Sequence, residues 1–339
     1  MSKNIVIFSD GTGQEGGEGN NTNVYKLFNM VLDRTDKQIA FYDRGLGTGF
    51  RKITGNSAGM GMSKNIQECY QFLFENFEAG DDIFLFGFSR GAATVRSLSG
   101  YIHLFGILPK SRPELIKKAY KIYEIKDKNK RTEKASEFID KHHTMWTGIK
   151  FIGVWDTVVA LGVPFKPLDD LVDAIPIFSH RFHDFKLSES IRHARHALAI
   201  DDERLTFHPT LWDPDIDQSK QTMKQVWFCG MHTDVGGGYK EQQLSDITLD
   251  WMVNEAKVKG LLIYDKNKVP INPDPQGHMH NSRGGTFSRF FRKEVRFWPK
   301  THGKPTIHKS VLERTKNQKN KDSPPYKPWI LDLQYEVEP

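Results

Sequence analysis

Short apolar runs alternate with helix-like patterns along most of the chain. Runs rich in β-branched and aromatic residues predict buried strands at 4–8, 38–43, 83–86, 149–155 and 225–230. Apolar residues at three- and four-residue spacing predict helices from Asn23, from Ser63 (as N-cap) to Phe77, across 188–200, and from about Ser245 to Lys257. Strands that alternate with helices indicate an α/β fold, in which a mainly parallel central sheet is covered on both faces as a three-layer sandwich.

Three stretches depart from this alternation. Residues 110–148 are lysine-rich with a helical pattern, which predicts a helical insertion at the rim of the domain. Residues 160–186 place prolines among apolar residues, so they are a candidate lid or pocket wall. Residues 265–339 carry weak strand and helix signals and are predicted to form an irregular extension packed on the domain. No repeat or clean boundary occurs, so 1–339 is interpreted as a single domain.

The composition supports a folded protein without disulfide bonds. Hydrophobic residues make up 38% of the chain, which is enough for a sizeable core and excludes a disordered composition. The two cysteines, Cys69 and Cys229, are too few for a disulfide framework and fit a reducing compartment. The first residues do not resemble a signal peptide, and the apolar runs are too short to span a bilayer. We therefore expect a soluble protein that is cytoplasmic or is exported by a route that needs no signal peptide.

The charge balance is mildly basic. The net charge is +6, which we interpret mainly as a contribution to solubility. The basic segments 117–134 and 314–321 are interpreted as solvated faces or as weak contacts to anionic lipid headgroups at a membrane surface. No nucleic-acid partner is predicted.

The pentapeptide Gly87-Phe88-Ser89-Arg90-Gly91 matches the G-x-S-x-G pattern of a nucleophile elbow. An apolar strand precedes it and a helix that starts with small residues follows it, which is the context that this motif requires. Such a turn exposes the serine hydroxyl at the carboxyl end of the sheet, above a helix N-terminus that favours developing negative charge. Ser89 is therefore the candidate nucleophile of an α/β-hydrolase-like fold.

A serine nucleophile needs a base and an orienting carboxylate, which in this fold follow in the order Ser, Asp, His after successive strands. Asp156 follows the strand at 149–155, and His232 follows the strand at 225–230. Because the carboxyl ends of parallel strands meet at one edge, we expect both side chains near Ser89. Asp234, two residues beyond His232, is a rival for the acid or a residue that fixes the loop.

The oxyanion of the tetrahedral intermediate needs backbone N–H donors. One donor is predicted at the amide of Arg90, directly after the nucleophile. The second is predicted in the loop after the first strand, at Asp10, Gly11 or Thr12, where the alternative interpretation is a plain Asp-Gly turn. This machinery requires no cofactor and no metal.

Several separate motifs resemble one family, which includes the catalytic domain of type VI secretion phospholipase effectors. The similar segments are FSDGTGQ, NNTNV, FYDRGLGT, DDIFLFGFSRGA, FIGVWDTV, HALAIDDER, FHPTLW and VWFCGMHTDVGGGY. The resemblance implies an α/β-hydrolase fold, a triad of Ser89, Asp156 and His232, and hydrolysis of small-molecule or lipid esters, including phospholipid acyl esters. It thereby implies a lipase or phospholipase.

Two other functions remain open at this point. In a metal-dependent hydrolase, Asp10, Asp156, His232 and Asp234 would converge on a metal ion, since such side chains are suitable ligands. The SDGTG segment is similar to the start of haloacid-dehalogenase-like phosphatases, but their nucleophilic aspartate would fall at Phe8. The second alternative is a non-catalytic binding protein with a hydrolase fold.

Overall fold

The apolar runs of the sequence form one sheet in the computed structural model, which describes residues 2–11, 17, 19–45, 55–158, 186–265, 269–284, 291–316 and 325–339. The strands are β1 Asn4–Ser9, β2 Gln38–Asp43, β3 Asp82–Phe88, β4 Ile149–Trp155, β5 Ile191–Ala199, β6 Thr222–Phe228, β7 Thr306–His308 and β8 Glu336–Glu338. They lie in the order β2-β1-β3-β4-β5-β6-β7-β8, and every described neighbouring pair is parallel. The predicted parallel sheet is therefore confirmed.

Helices cover both faces of the sheet and complete the predicted three-layer α/β sandwich. The α-helices of the described residues are α1 Asn23–Met30, α2 Gly55–Asn76, α3 Arg90–Phe105, α4 Leu115–Tyr123, α5 Lys128–His142, α6 His232–Gly236, α7 Gln243–Val258 and α8 Lys309–Lys316. Apolar side chains of α2 to α5 pack in the core on one face. Those of α1 and α7 pack in the core on the other face. No helix in this part of the chain is long and apolar enough to cross a membrane.

The strand order reverses at β1, because the chain first adds β2 on one side and then β3 on the other. The helices that follow β1 and β3, α1 and α3, pack on opposite faces of the sheet. In open α/β sheets, ligands bind at the carboxyl edge beside such a reversal. Ser89 follows β3, Asp156 follows β4 and His232 follows β6, so all of them lie along this edge.

The prediction of a helix across 188–200 is wrong, because this segment is the strand β5, between β4 and β6. Ile191, Ala194 and Leu198 recur at the spacing of a helix face, which misled the sequence analysis. The polar side chains of this strand form hydrogen bonds and ion pairs with other segments of the chain. Arg195 pairs with Glu255, and the ring of His196 accepts the backbone N–H of Thr157. Burial between two strands thus outweighed the local pattern.

Other boundaries differ from the predictions by part of an element. α2 begins at Gly55, before the expected N-cap at Ser63. Segment 110–148 contains α4 and α5, whereas 265–339 contributes β7, α8 and β8. The candidate lid at 160–186 lies outside the described residues except for Lys186.

Candidate active site

The turn that carries Ser89 is strained and depends on its two glycines. Ser89 has φ 57° and ψ −121°, a positive φ that side-chain-bearing residues rarely adopt. A Cβ at Gly87 would lie 2.5 Å from the carbonyl oxygen of Gly91, and a Cβ at Gly91 would lie 2.0 Å from that of Ser9. Both positions therefore need glycine, so that the start of α3 can approach the ends of β3 and β1.

Ser89, His232 and Asp156 are brought together in one hydrogen-bonded series. The distance from Ser89 Oγ to His232 Nε2 is 2.9 Å, and the distance from His232 Nδ1 to Asp156 Oδ2 is 2.6 Å. Asp156 is fully buried and His232 is nearly so, whereas Ser89 is partly exposed. The imidazole can therefore accept the serine proton on one nitrogen while the carboxylate fixes the other nitrogen as a donor.

The position of His232 is fixed by its backbone and by two aromatic rings. His232 is the first residue of α6, and its backbone N–H donates to Asp202 Oδ2 at 3.2 Å. Its ring centroid lies 4.6 Å from that of Phe88 and 5.2 Å from that of Phe207. These contacts limit the rotation of the imidazole and shield it from water.

Asp234, the rival acid, serves the loop. Its carboxylate accepts the backbone N–H groups of Met231 and His280, and Oδ1 lies 2.6 Å from His280 Nδ1. Asp234 therefore connects the start of α6 to the C-terminal part of the chain, and Asp156 is the carboxylate that contacts the imidazole of His232.

Asp156 has a second partner, Arg296, which the sequence analysis missed. Arg296 Nη1 lies 2.7 Å from Asp156 Oδ1, and Nη2 lies 2.8 Å from Oδ2. The backbone N–H of Ala199 also donates to Oδ1 at 3.0 Å. Burial alone would raise the pKa of Asp156, but the ion pair with Arg296 and the hydrogen bonds from Arg296 and His232 hold it well below its usual range.

No local signal marks Arg296 in the sequence. It stands in the basic stretch FRKEVRFWPK, 140 residues after its partner, and nothing in that stretch distinguishes it from the neighbouring cations. The contact between Arg296 and Asp156 could therefore be identified only from the tertiary structure.

The predicted oxyanion loop lies beside Ser89, but two of its three predicted amides already donate to other groups. A Cβ added to Gly11 would lie 3.5 Å from that of Ser89, which shows how closely the two backbones approach. The N–H of Gly11 donates to Asp10 Oδ1 at 2.7 Å. The N–H of Asp10, another predicted donor, donates to the carbonyl of Asp43 at 3.0 Å, and Thr12, the third, lies outside the described residues.

The side chain of Asp10 is buried and stabilises the loop through hydrogen bonds. Its Oδ2 accepts the hydroxyl groups of Thr22 and Tyr42, each at 2.6 Å. Burial raises the pKa of Asp10 to about 6, against the opposing effect of these hydrogen bonds.

Arg90, the other predicted oxyanion residue, opens α3. The first intrahelical bond runs from the N–H of Ala93 to the carbonyl of Ser89, so the amide of Arg90 precedes the hydrogen-bonded ladder. It therefore stands at the positive end of a helix of 16 residues. The Arg90 side chain is partly buried, which lowers its pKa to about 10.

The side chains required by the metal alternative are engaged separately. Asp10 contacts hydroxyl groups, Asp156 contacts Arg296, and Asp234 contacts His280. In the described ranges, no group of three or more His, Cys, Asp or Glu side chains is arranged to hold a metal ion.

The parallel sheet between two helical layers, with a strained serine turn at its carboxyl edge, defines a protein of the α/β-hydrolase class. The family model "T6SS, Phospholipase effector Tle1-like, catalytic domain" matches residues 3–255. The chain therefore belongs to this family, and the resemblance noted in the sequence is confirmed.

Individual relatives are more distant or longer than this chain. The uncharacterized protein YEL023C of Saccharomyces cerevisiae is 30% identical over 301 residues, which cover 83% of this chain and 43% of the yeast protein. The chain thus spans less than half of that curated relative. An uncharacterized protein from Pseudomonas aeruginosa has a TM-score of 0.47 at 14% identity, over 81% of this chain and 50% of the other. The Tle1 effector, solved bound to the VgrG spike of the type 6 secretion system, has a TM-score of 0.40 at 16% identity, over 71% of this chain and 52% of the effector.

Proposed function

We propose that this chain is a serine hydrolase that cleaves carboxylic esters of lipids, including phospholipid acyl esters. Ser89 is the nucleophile, His232 the general base and Asp156 the residue that orients the base. The observation that carries this proposal is the hydrogen-bonded series from Asp156 through His232 to Ser89, at distances of 2.6 and 2.9 Å. Its geometry fits proton transfer from a hydroxyl to an imidazole.

The reaction proceeds in two halves. His232 Nε2 takes the proton of Ser89 as Oγ attacks the ester carbonyl, and the resulting imidazolium is stabilised by Asp156. The imidazolium then gives its proton to the departing alkoxide, which leaves an acyl group on Ser89. A water molecule, deprotonated by the same imidazole, attacks the acyl carbonyl and releases the carboxylic acid, and the proton returns to Ser89.

The oxyanion is held at the start of α3. The amide of Arg90 is the donor that the helix geometry supports best, and the helix dipole acts in the same direction. Gly11 lies against Ser89, but its N–H donates to the carboxylate of Asp10. This loop therefore supplies a second amide either when the Gly11 N–H is released from Asp10 or through the amide of Thr12.

A lipid substrate is supported by the family and by the surroundings of the site. The rings of Phe207 and Phe291 lie next to each other, with centroids 5.7 Å apart, and Phe207 also contacts His232. Val295 and Phe297, on either side of buried Arg296, are 47% and 60% exposed. Exposed apolar side chains beside a site favour peripheral contact with a membrane surface.

Labelling and turnover of matched serine variants test this function. The unaltered protein should react with a fluorophosphonate probe and hydrolyse p-nitrophenyl esters and phospholipid vesicles. Ser89→Ala should abolish labelling and reduce turnover by roughly 10⁴-fold or more, because the nucleophile is lost. Ser99→Ala is the control, since Ser99 lies in the same helix and its hydroxyl donates to the carbonyl of Arg96.

Full esterase activity in folded Ser89→Ala would show that another group performs the reaction. Turnover that disappears on addition of a chelator would favour the metal-dependent alternative instead.

A further inference from the structure

Arg296 is a buried arginine with two contacts to the carboxylate that orients His232. The side chains of Arg296 and Asp156 are both fully inaccessible to solvent. The two terminal nitrogens of the guanidinium each approach one carboxylate oxygen, at 2.7 and 2.8 Å. Each nitrogen also donates to a backbone carbonyl, Nη1 to Ala199 and Nη2 to Phe207. Its planar fork therefore fixes both the position and the plane of the carboxylate.

The carboxylate is shared between a permanent cation and the imidazole. Asp156 Oδ2 accepts from both Arg296 Nη2 and His232 Nδ1. In a triad without such a cation, the whole carboxylate charge stabilises the imidazolium, which favours protonation of the base. Here the guanidinium offsets part of that charge, at a distance where charges interact strongly in a buried site.

We propose that Arg296 is a positioning residue that acts on His232 through Asp156. It holds the carboxylate in the position that orients the imidazole, and its charge extends activity to lower pH. This inference rests on the proposed serine hydrolase function. It also assigns a role in the site to a residue beyond 255, where the family model ends.

The other charged or titratable groups around the pair in the described chain do not replace this cation. Asp202, which accepts the backbone N–H of His232, pairs with Arg204 at 2.6 Å. Asp234, near His232, pairs with His280, while Asp201 accepts from Tyr326 and the backbone of Gly230. Burial lowers the pKa of His196 to about 3, so that its ring is neutral.

Two variants separate the charge of Arg296 from its geometry. In Arg296→Gln the cation is lost, so the acidic limb of the pH profile of kcat/KM should move up by roughly one pH unit. In Arg296→Lys the charge remains, so the limb should stay in place. Both variants should lose turnover by roughly 10- to 100-fold at the optimum, because neither side chain holds both oxygens.

Arg314→Gln is the matched control. Arg314 also belongs to the C-terminal part of the chain, but it donates to the carbonyls of Pro275 and Gly277 and does not contact Asp156. Its loss should change neither the acidic limb nor the turnover. The assay uses a p-nitrophenyl ester and the full chain, with circular dichroism to verify folding.

A folded Arg296→Gln whose acidic limb coincides with that of the unaltered protein would overturn the inference, because a purely structural arginine predicts that result. If Arg296→Gln does not fold, Arg296→Lys decides: unaltered turnover or a displaced limb contradicts the proposal. Absence of turnover and of probe labelling at Ser89 in the unaltered protein would instead contradict the proposed function.

Discussion

Two buried carboxyl groups near Ser89 show how the partner of a carboxylate decides its ionisation. Asp156 and Asp10 are 0% and 1% exposed, so burial disfavours the charged form of both. Asp156 faces the cation of Arg296, and its pKa is depressed. Asp10 receives hydrogen bonds from neutral groups only, and burial raises its pKa to about 6. The first carboxylate is thus kept ionised for His232, whereas the second changes charge in mildly acidic solution.

The raised pKa of Asp10 predicts a stability that falls with pH. The carboxyl group is easier to protonate in the folded chain, so its contribution is fully present below about pH 4 and is lost as the pH rises through about 6. Asp10→Asn removes this titration. The free energy of unfolding of the variant, relative to the unaltered protein, should therefore increase by at most about 3 kcal/mol between pH 4 and 7.

Urea denaturation at several pH values measures this difference. Asp36→Asn is the control for the loss of one carboxyl group, because Asp36 is exposed. A difference for Asp10→Asn that does not change between pH 4 and 7, or that only matches the one for Asp36→Asn, would show that Asp10 is already ionised in the folded chain throughout this range.

At the scale of elements, the strained turn between β3 and α3 is held by contacts among three segments of backbone. The N–H of Ser89 donates to the carbonyl of Trp155 at the end of β4, and Gly91 lies against the carbonyl of Ser9 at the end of β1. The strain at Ser89 persists because neighbouring strands fix the turn from both sides.

Gly91→Ala should therefore damage both stability and activity. Its new Cβ would lie 2.0 Å from the carbonyl oxygen of Ser9, so α3 and β1 must move apart. We expect the free energy of unfolding to fall by about 1–3 kcal/mol and kcat to fall by roughly 100-fold, because Ser89 shifts from His232. Gly148→Ala is the control, because Gly148 precedes β4 at the opposite edge of the sheet from Ser89. Its new Cβ would lie 3.3 Å from the nearest atom, and this variant should retain kcat. Normal turnover in Gly91→Ala would contradict the tight packing of this turn.

The elements also explain which parts of the site could be predicted. Continuous apolar runs marked β1 to β4 and β6, and the ends of parallel strands share one edge, so Ser89, Asp156 and His232 could be grouped from the sequence. β5 escaped because its apolar residues repeat at helical spacing, and only burial between β4 and β6 makes it a strand. β7 and β8 escaped because each has only three residues. Arg296 escaped because its contact with Asp156 joins distant parts of the chain.

At the scale of the whole molecule, the part of the chain after residue 265 is joined to the core through several contacts. β7 pairs with β6, and β8 pairs with β7, so the sheet extends into this part. The ring of Trp329 lies 5.4 Å from that of buried Trp227, and the hydroxyl of Tyr326 donates to Asp201 at 2.8 Å. Together with Arg296, these contacts suggest that folding of this part and assembly of the site depend on each other.

That dependence predicts the effect of a cavity far from Ser89 in sequence. Ile330 is fully buried in the core that α1 and α7 form on one face of the sheet, so Ile330→Ala should lower the free energy of unfolding by about 2–5 kcal/mol. Because the core is shared, thermal unfolding should remain a single transition, and labelling of Ser89 by a fluorophosphonate should disappear at the same temperature.

Leu333→Ala is the control, since Leu333 is 40% exposed in the same segment and its truncation should lower the free energy of unfolding far less. A separate early transition in Ile330→Ala, with labelling retained above it, would instead show that residues 265–339 form an appended extension that the site does not need.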